Sequence, residues 1–196
     1  MENAARVRED NKWRCTLGSQ MVLLPENRHE AVGLAKTIKS IGCDYLVIKP
    51  YSQHKSSITH AYESIDYNSF MDLQDELKEL SDDKFQVIFR EKTMQKYHET
   101  EHYYKKCNAT PYFWAYIMAD GSLYGCSAYL LNDKFCYGNI NQATFKEIWE
   151  GEKRKKNIDF VLNELNITDC RKNCRMDEVN RYLWDIVNPP EHVNFI

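Results

Sequence analysis

Residues 21–50 read MVLLPENRHEAVGLAKTIKSIGCDYLVIKP, which is a succession of apolar run, amphipathic stretch and second apolar run. The runs Met21–Leu24 and Tyr45–Ile48 are short enough to be buried strands. Between them, Asn27 and Glu30 have the spacing of a helix N-cap with a capping box. Apolar residues then recur at helical spacing at Ala31, Leu34, Ala35, Ile38 and Ile41. The stretch predicts a βαβ unit, whose strands are normally parallel neighbours.

Two parallel strands cannot by themselves cover both faces or protect both edges of a sheet. We therefore expect further strands, from a longer parent chain or from a partner chain. Downstream, the polar segment 51–67 predicts a loop, 69–80 predicts a helix, and 85–89 predicts a short strand.

The sequence pattern changes near residue 100, which predicts domains of residues 1–100 and 101–196. The second begins with the aromatic run Tyr112–Met118, which is typical of a strand. Asp120-Gly121 predicts a two-residue hairpin turn, and Ser122–Gly125 begins the return strand.

Further elements follow in the second domain. Phe135–Ile140 predicts a short strand, and Thr144 with Glu147 forms the pattern of a capping box for a helix. A final helix is predicted to open at Cys170.

Composition excludes several classes of protein. The 196 residues are 43% hydrophobic, as in a folded protein, and 26 Lys+Arg against 29 Asp+Glu give a net charge of −3. That balance argues against nucleic-acid binding driven by net charge. The chain has no apolar run of about 18 residues, and Met1–Asp10 does not have the pattern of a signal peptide. We expect a cytoplasmic protein that binds neither membrane nor nucleic acid.

The cysteines are the unusual feature of the composition. In a reducing compartment, clustered cysteines indicate metal or cluster ligands more often than disulfides. The chain has seven, at positions 15, 43, 107, 126, 136, 170 and 174. Cys15 and Cys43 lie in the βαβ region without partner spacing and are interpreted as small hydrophobic residues.

Four of the cysteines form a candidate metal set: Cys107, Cys126, Cys170 and Cys174. On the predicted helix, Cys170 and Cys174 share a face with Cβ atoms about 5–6 Å apart. The positive end of that helix favours thiolates. The cations Arg171, Lys172 and Arg175 would offset the charge of a thiolate-ligated cluster. Spacing alone leaves iron–sulfur and zinc open.

Cys107 is harder to bring to this site. A two-residue turn at Asp120-Gly121 pairs Cys126 with Ala115, and Cys107 lies eight residues farther along. In a straight strand those residues span about 26 Å. The chain must therefore bend, and Ala109–Pro111 is the expected place.

The cysteine pattern resembles a known family. The matching segments are Cys107-x₁₃-Gly121-x₄-Cys126, Tyr137-Gly138-Asn139-Ile140, Phe145-Lys146-Glu147-Ile148-Trp149 and Cys170-x₃-Cys174. Together they resemble the SPASM or shorter twitch extension of radical S-adenosylmethionine enzymes. The resemblance implies one auxiliary [4Fe-4S] cluster held by the four cysteines, with Cys136 as a reserve ligand.

The N-terminal βαβ unit resembles the last two strands of the partial (β/α)₆ barrel in the same enzymes. The implied fold class is α+β: a barrel fragment in residues 1–100, followed by a small hairpin and helix cluster domain in 101–196. The resemblance places Ser19, Gln20, Lys49 and Pro50 near S-adenosylmethionine and substrate.

One family feature is missing from this sequence. The enzymes cleave S-adenosylmethionine at a cluster held by Cys-x₃-Cys-x₂-Cys, and no three cysteines here have that spacing. The chain should be inactive alone and bind S-adenosylmethionine only with a missing N-terminal half, in the same protein or a partner chain. The cluster would then serve electron transfer or substrate binding in the modification of a peptide or carbohydrate.

Two other interpretations remain open. The four thiolates could hold structural zinc in a protein-interaction module without redox activity. Alternatively, the chain could be an α/β domain with ordinary reduced cysteines.

Overall fold

The computed structural model describes residues 1–54, 56–99, 101–171 and 173–193. The chain divides into two compact units, Met1–Glu99 and Thr100–Ile196. Within the described residues, every helix is too short or too polar to cross a membrane.

The first unit contains a parallel sheet. Its elements are α1 (Glu2–Asp10), β1 (Gly18–Leu23), α2 (Ala31–Ser40), β2 (Tyr45–Pro50), α3 (Leu73–Glu79), β3 (Gln86–Phe89) and α4 (Glu91–Gln95). The strand order is β1-β2-β3, and both neighbouring pairs are parallel. The predicted short strand at 85–89 is confirmed as β3, and it pairs with β2. One further strand of the sheet is therefore supplied by this chain itself, in contrast to the expectation that such strands come from a longer parent chain or from a partner chain.

Alternation along the strands sets the core of this unit. Met21 and Leu23 of β1 pair with Ile48 and Pro50 of β2, and all four are buried. They belong to the face that packs against apolar residues of α2, α3 and α4, including Ala35, Leu77 and Met94. Because successive side chains of a strand point to opposite faces, these alternate residues lie on one face of the sheet, and the helices cover that face.

The start of α2 differs from its prediction. Asn27 does not cap a helix: its Oδ1 accepts from the Leu24 N–H at 2.9 Å, and its Nδ2 donates to the Val22 carbonyl at 3.0 Å. A 3₁₀ turn over Arg28–Glu30 precedes the helix. The predicted capping box at Asn27 and Glu30 is wrong, because the Asn27 side chain closes the turn after β1 instead.

In its described residues, the second unit contains a small antiparallel sheet and four α-helices. Its elements are α5 (Thr110–Phe113), β4 (Tyr116–Ile117), β5 (Ser122–Tyr124), β6 (Cys136–Asn139), α6 (Phe145–Glu150), α7 (Glu152–Asn163) and α8 (Asp177–Val187). The strand order is β4-β5-β6. The predicted strand at Tyr112–Met118 is only partly correct. Tyr112 and Phe113 belong to the short helix α5, which has Pro111 in its first turn, and only Tyr116 and Ile117 form a strand. The capping box of Thr144 and Glu147 is confirmed.

The hairpin between β4 and β5 has a three-residue loop. Tyr116 pairs with Tyr124 and Ile117 with Leu123, a register one residue away from the predicted one. Gly121 has φ +85, and the Met118 N–H donates to the Ser122 carbonyl at 2.8 Å. A glycine in the left-handed region at the end of a three-residue loop is a common hairpin closure.

Candidate metal centre

All four candidate cysteines line one cavity in the second unit. Cys107 precedes α5, Cys126 follows β5, and Cys170 and Cys174 lie in the segment that leads into α8. The cavity is small, partly open to solvent and lined mainly by apolar side chains. Three separate segments of the chain therefore bring four thiols to one place.

The bend needed for Cys107 is made by α5 and by Asn180 of α8. Asn180 is only 1% exposed, and its Oδ1 accepts from the backbone N–H groups of Asn108 at 2.7 Å and Ala109 at 2.9 Å. Its Nδ2 donates to Cys107 Sγ at 3.5 Å. The Sγ of Cys107 also lies 2.9 Å from Thr110 Oγ1. One side chain thus fixes both the backbone beside Cys107 and its sulfur.

Cys170 and Cys174 do not share a helix face. Cys170 has an extended backbone (φ −76, ψ 151) after a 3₁₀ turn over Ile167–Asp169, and α8 begins only at Asp177. The helical placement predicted for this pair is therefore wrong, together with its dipole argument. The local partner of Cys174 Sγ is the backbone N–H of Met176, at 3.4 Å.

Every one of the four sulfur atoms has a polar partner. Besides Asn180 at Cys107 and Met176 at Cys174, the Ala128 N–H donates to Cys126 Sγ at 3.4 Å. The Tyr129 hydroxyl lies 3.7 Å from Cys170 Sγ. Hydrogen bonds to sulfur stabilise thiolates and orient metal ligands.

Burial opposes ionisation of two of these thiols, Cys126 and Cys174, and so raises their pKa values. It raises the pKa of Cys126 to about 12, against the lowering effect of the Ala128 N–H, and the neighbouring cysteine charges raise it further. Burial also raises the pKa of Cys174, where the Met176 N–H and the Arg171 charge act in the opposite direction. A positively charged core would remove this penalty, because it deprotonates the thiols that bind it. The donor set therefore fits a thiolate-ligated cluster.

The described donor groups are not arranged for a single metal ion. No group of three or more His, Cys, Asp or Glu among the described residues could hold one metal ion. A tetrahedral zinc site brings four sulfurs to about 2.3 Å from one point. The four thiols here surround a cavity.

The remaining cysteines do not line the described cavity, although Cys136 packs against the hydrophobic cluster that includes Cys107. Cys136 is not one of the described residues that line the cavity, and its Sγ lies 3.9 Å from the Gly138 carbonyl. Cys43 is buried in the core of the first unit, as expected of a small hydrophobic residue. Cys15 is exposed, in contrast to that interpretation.

The four residues expected near S-adenosylmethionine are not brought together. Ser19 and Gln20 lie in the first half of β1, whereas Lys49 and Pro50 end β2. Strand alternation also puts Gln20 and Lys49 on one face of the sheet and Ser19 and Pro50 on the other. Their role in binding stays a prediction.

One polar residue beside the cysteines, Asn180, was not identified from the sequence, and another, Arg171, was identified only by its charge. Asn180 lies at helical spacing from Met176 and Leu183, so a polar residue on an apolar helix face was the available signal. Arg171 was identified only as a nearby cation, yet it lines the cavity.

The segment that carries the four cysteines is similar to a known class of domain. Residues 107–175 match the family model of SPASM, described as an iron-sulfur cluster-binding domain. The predicted SPASM resemblance is thereby confirmed over this segment. A search of curated proteins found no match.

Solved structures were compared with the whole chain. One similar structure is described as native anSMEcpe with bound AdoMet, at 17% identity and a TM-score of 0.45. The match covers 95% of this chain and 59% of that one. The chain thus spans less than two thirds of the length of that relative.

Proposed function

We propose that this chain is the C-terminal part of a radical S-adenosylmethionine enzyme and that its second unit holds one auxiliary [4Fe-4S] cluster. The observation that carries the proposal is the cavity lined by Cys107, Cys126, Cys170 and Cys174, within a segment that matches an iron–sulfur domain. When bound, the cluster supplies one-electron transfer or a site for substrate binding.

Residues around the cavity would hold the cluster and hydrogen-bond to its ligands. The four thiolates hold the core, while Asn180, Tyr129 and the N–H groups of Ala128 and Met176 contact the sulfurs. Such contacts fix the orientation of the ligands and affect the reduction potential. Apolar side chains, among them Phe135 and Val161, line the same cavity and limit the access of water.

In this proposal the first unit is part of a (β/α)₆ barrel. The parallel order β1-β2-β3, with helices packed on one face, supports it. On the opposite face Gln20 is exposed and Lys49 half-buried, where they could meet ligand. We assign S-adenosylmethionine binding to an assembly completed by an N-terminal half that carries Cys-x₃-Cys-x₂-Cys, and a peptide or carbohydrate as its substrate.

Metal analysis after anaerobic reconstitution with iron and sulfide tests the proposal. We expect a brown protein absorbing near 400 nm with about four irons per chain, as one four-thiolate cubane requires. Serine variants at any of the four cysteines should lose much of this iron. Cys136→Ser is the matched control and should retain it, because Cys136 does not line the described cavity.

Zinc is the alternative outcome of the metal analysis, because four cysteines form a structural zinc site when their sulfur atoms converge on one ion. Three results would favour zinc: about one zinc per chain in anaerobic preparations, no iron uptake, and a fold that requires Cys170. The chain would then be a zinc-stabilised interaction module and not a cluster-binding one. A chain that takes up neither metal would contradict both proposals and leave ordinary reduced cysteines.

A further inference from the structure

Arg171 is a charged residue in the wall of the cysteine cavity. It directly follows Cys170, and its Nη2 donates to Ser127 Oγ at 2.7 Å. Ser127 in turn follows Cys126. The guanidinium group is therefore tied to the segments that carry two of the four thiols.

One donor of this side chain has no acceptor among the described residues. The Nε of Arg171 is buried, and no hydrogen-bond partner for it lies among the residues described. A buried donor without an acceptor is unfavourable, and more so on a charged group. Thr110 and Asn180 also line the cavity, but their oxygen atoms are already engaged with the Cys107 sulfur and with the backbone N–H groups at 108 and 109. The chemistry that would satisfy the Arg171 donor there is an anionic sulfur acceptor.

We propose that Arg171 is a positioning residue for the cluster, with its guanidinium held by Ser127 so that Nε donates to the sulfur atoms of the core. The inference rests on the proposed function above. A cubane core with four thiolates is anionic, and reduction adds one electron without breaking a bond. A fixed cation beside it stabilises the reduced form more than the oxidised form and so raises the reduction potential.

The chain supplies a matched control for charge. Arg175 follows Cys174 as Arg171 follows Cys170, but its side chain is exposed. Removing either arginine changes the net charge equally, whereas only Arg171 lines the cavity. A difference between the two variants therefore reports position and hydrogen bonding rather than total charge.

The test is a redox titration of the anaerobically reconstituted chain with dithionite, followed by cluster absorbance and electron paramagnetic resonance. Arg171→Met should lower the midpoint potential by at least about 59 mV, which is a tenfold change in the ratio of oxidised to reduced cluster. Arg171→Lys keeps the charge without the planar donor and should show a smaller shift in the same direction. Arg175→Met should shift the potential by less than either.

The outcomes separate this inference from the proposed function. If the wild-type chain takes up no iron, the proposed function fails and the inference with it. If the wild-type cluster forms but Arg171→Met and Arg175→Met have equal midpoints, the inference is overturned and the proposed function stands. If Arg171→Met does not retain iron, the Arg171→Lys midpoint decides: a value equal to wild type overturns the inference.

Discussion

At the scale of single residues, the position of Cys107 depends on Asn180. The amide of Asn180 accepts two backbone N–H groups and donates to the Cys107 sulfur, and it does so from a nearly inaccessible site. This short polar side chain on an apolar helix face completes hydrogen bonds that no apolar residue could make.

Asn180→Ala should therefore lower the free energy of unfolding of the second unit by about 1–3 kcal/mol, the cost of leaving buried donors unpaired. It should also reduce iron uptake, because Cys107 loses its anchor. Urea unfolding followed by tryptophan fluorescence suits the test, since Trp114, Trp149 and Trp184 lie in this unit. The control Asn188→Ala, at the exposed end of the same helix, should change stability by less than about 0.5 kcal/mol. Equal effects of the two variants would contradict the anchoring role.

At the scale of elements, the hairpin that precedes Cys126 depends on Gly121. Its φ of +85 is unfavourable for other residues, and a Cβ there would lie 2.4 Å from Asn141 Nδ2 and 2.7 Å from Asn139 Oδ1. Gly121→Ala should destabilise the second unit by more than about 1 kcal/mol in urea unfolding. Gly33→Ala is the control: a Cβ on this residue of α2 meets no atom within 4 Å, so stability should rise by up to about 1 kcal/mol. If Gly121→Ala left the stability unchanged, the described hairpin geometry would be contradicted.

Asp82 connects α2 to the turn before β3 and makes that connection sensitive to acid. Lys39, 2.8 Å away, and the N–H groups of Lys84 and Phe85 lower the pKa of Asp82 to about 2. A carboxyl with a depressed folded-state pKa contributes stability above its unfolded pKa of about 4, and this is lost as pH falls through the folded value.

Asp82→Asn should accordingly lower the urea midpoint of the first unit at pH 7, and the difference from wild type should shrink between about pH 4 and pH 2. Circular dichroism of the two proteins at matched pH measures it. Asp83→Asn changes the same charge at the next residue and serves as the control. A difference that stays constant from pH 7 to pH 2 would refute the linkage.

The sequence predicts regular elements better than it predicts what joins them. The βαβ unit follows from local periodicity in residues 21–48, and the structure contains it. The hairpin register was missed by one residue because Asp120-Gly121 suits both a two-residue turn and a three-residue loop. The choice depends on Asn139 and Asn141, whose side chains donate to the Asp120 carbonyl from about 20 residues away.

At the cysteine site, too, the sequence predicts the residues better than it predicts the backbone that carries them. The identity of the four cysteines follows from spacing and resemblance, and the structure brings those four to one cavity. Their i,i+4 spacing also suited a helix at Cys170 and Cys174, but the helix begins only at Asp177. Asn180 could not be assigned from sequence, because its partners at 107–109 lie about 70 residues away.

At the scale of the whole molecule, the proposed function assigns cluster binding to this chain and radical generation to a separate N-terminal half. The seven cysteines do not contain the Cys-x₃-Cys-x₂-Cys spacing. The reconstituted chain alone should therefore release no 5′-deoxyadenosine from S-adenosylmethionine and dithionite, as measured by liquid chromatography. Addition of an N-terminal half with that motif should restore the product. Release by this chain alone would show that the division of roles is wrong.

The most direct test of the central claim is the position of iron in crystals of the anaerobically reconstituted chain, measured by anomalous diffraction at the iron edge. We predict one compact iron site bounded by the sulfur atoms of Cys107, Cys126, Cys170 and Cys174. Iron bound at Cys136 or elsewhere in the chain, or an anomalous signal at the zinc edge only, would contradict it.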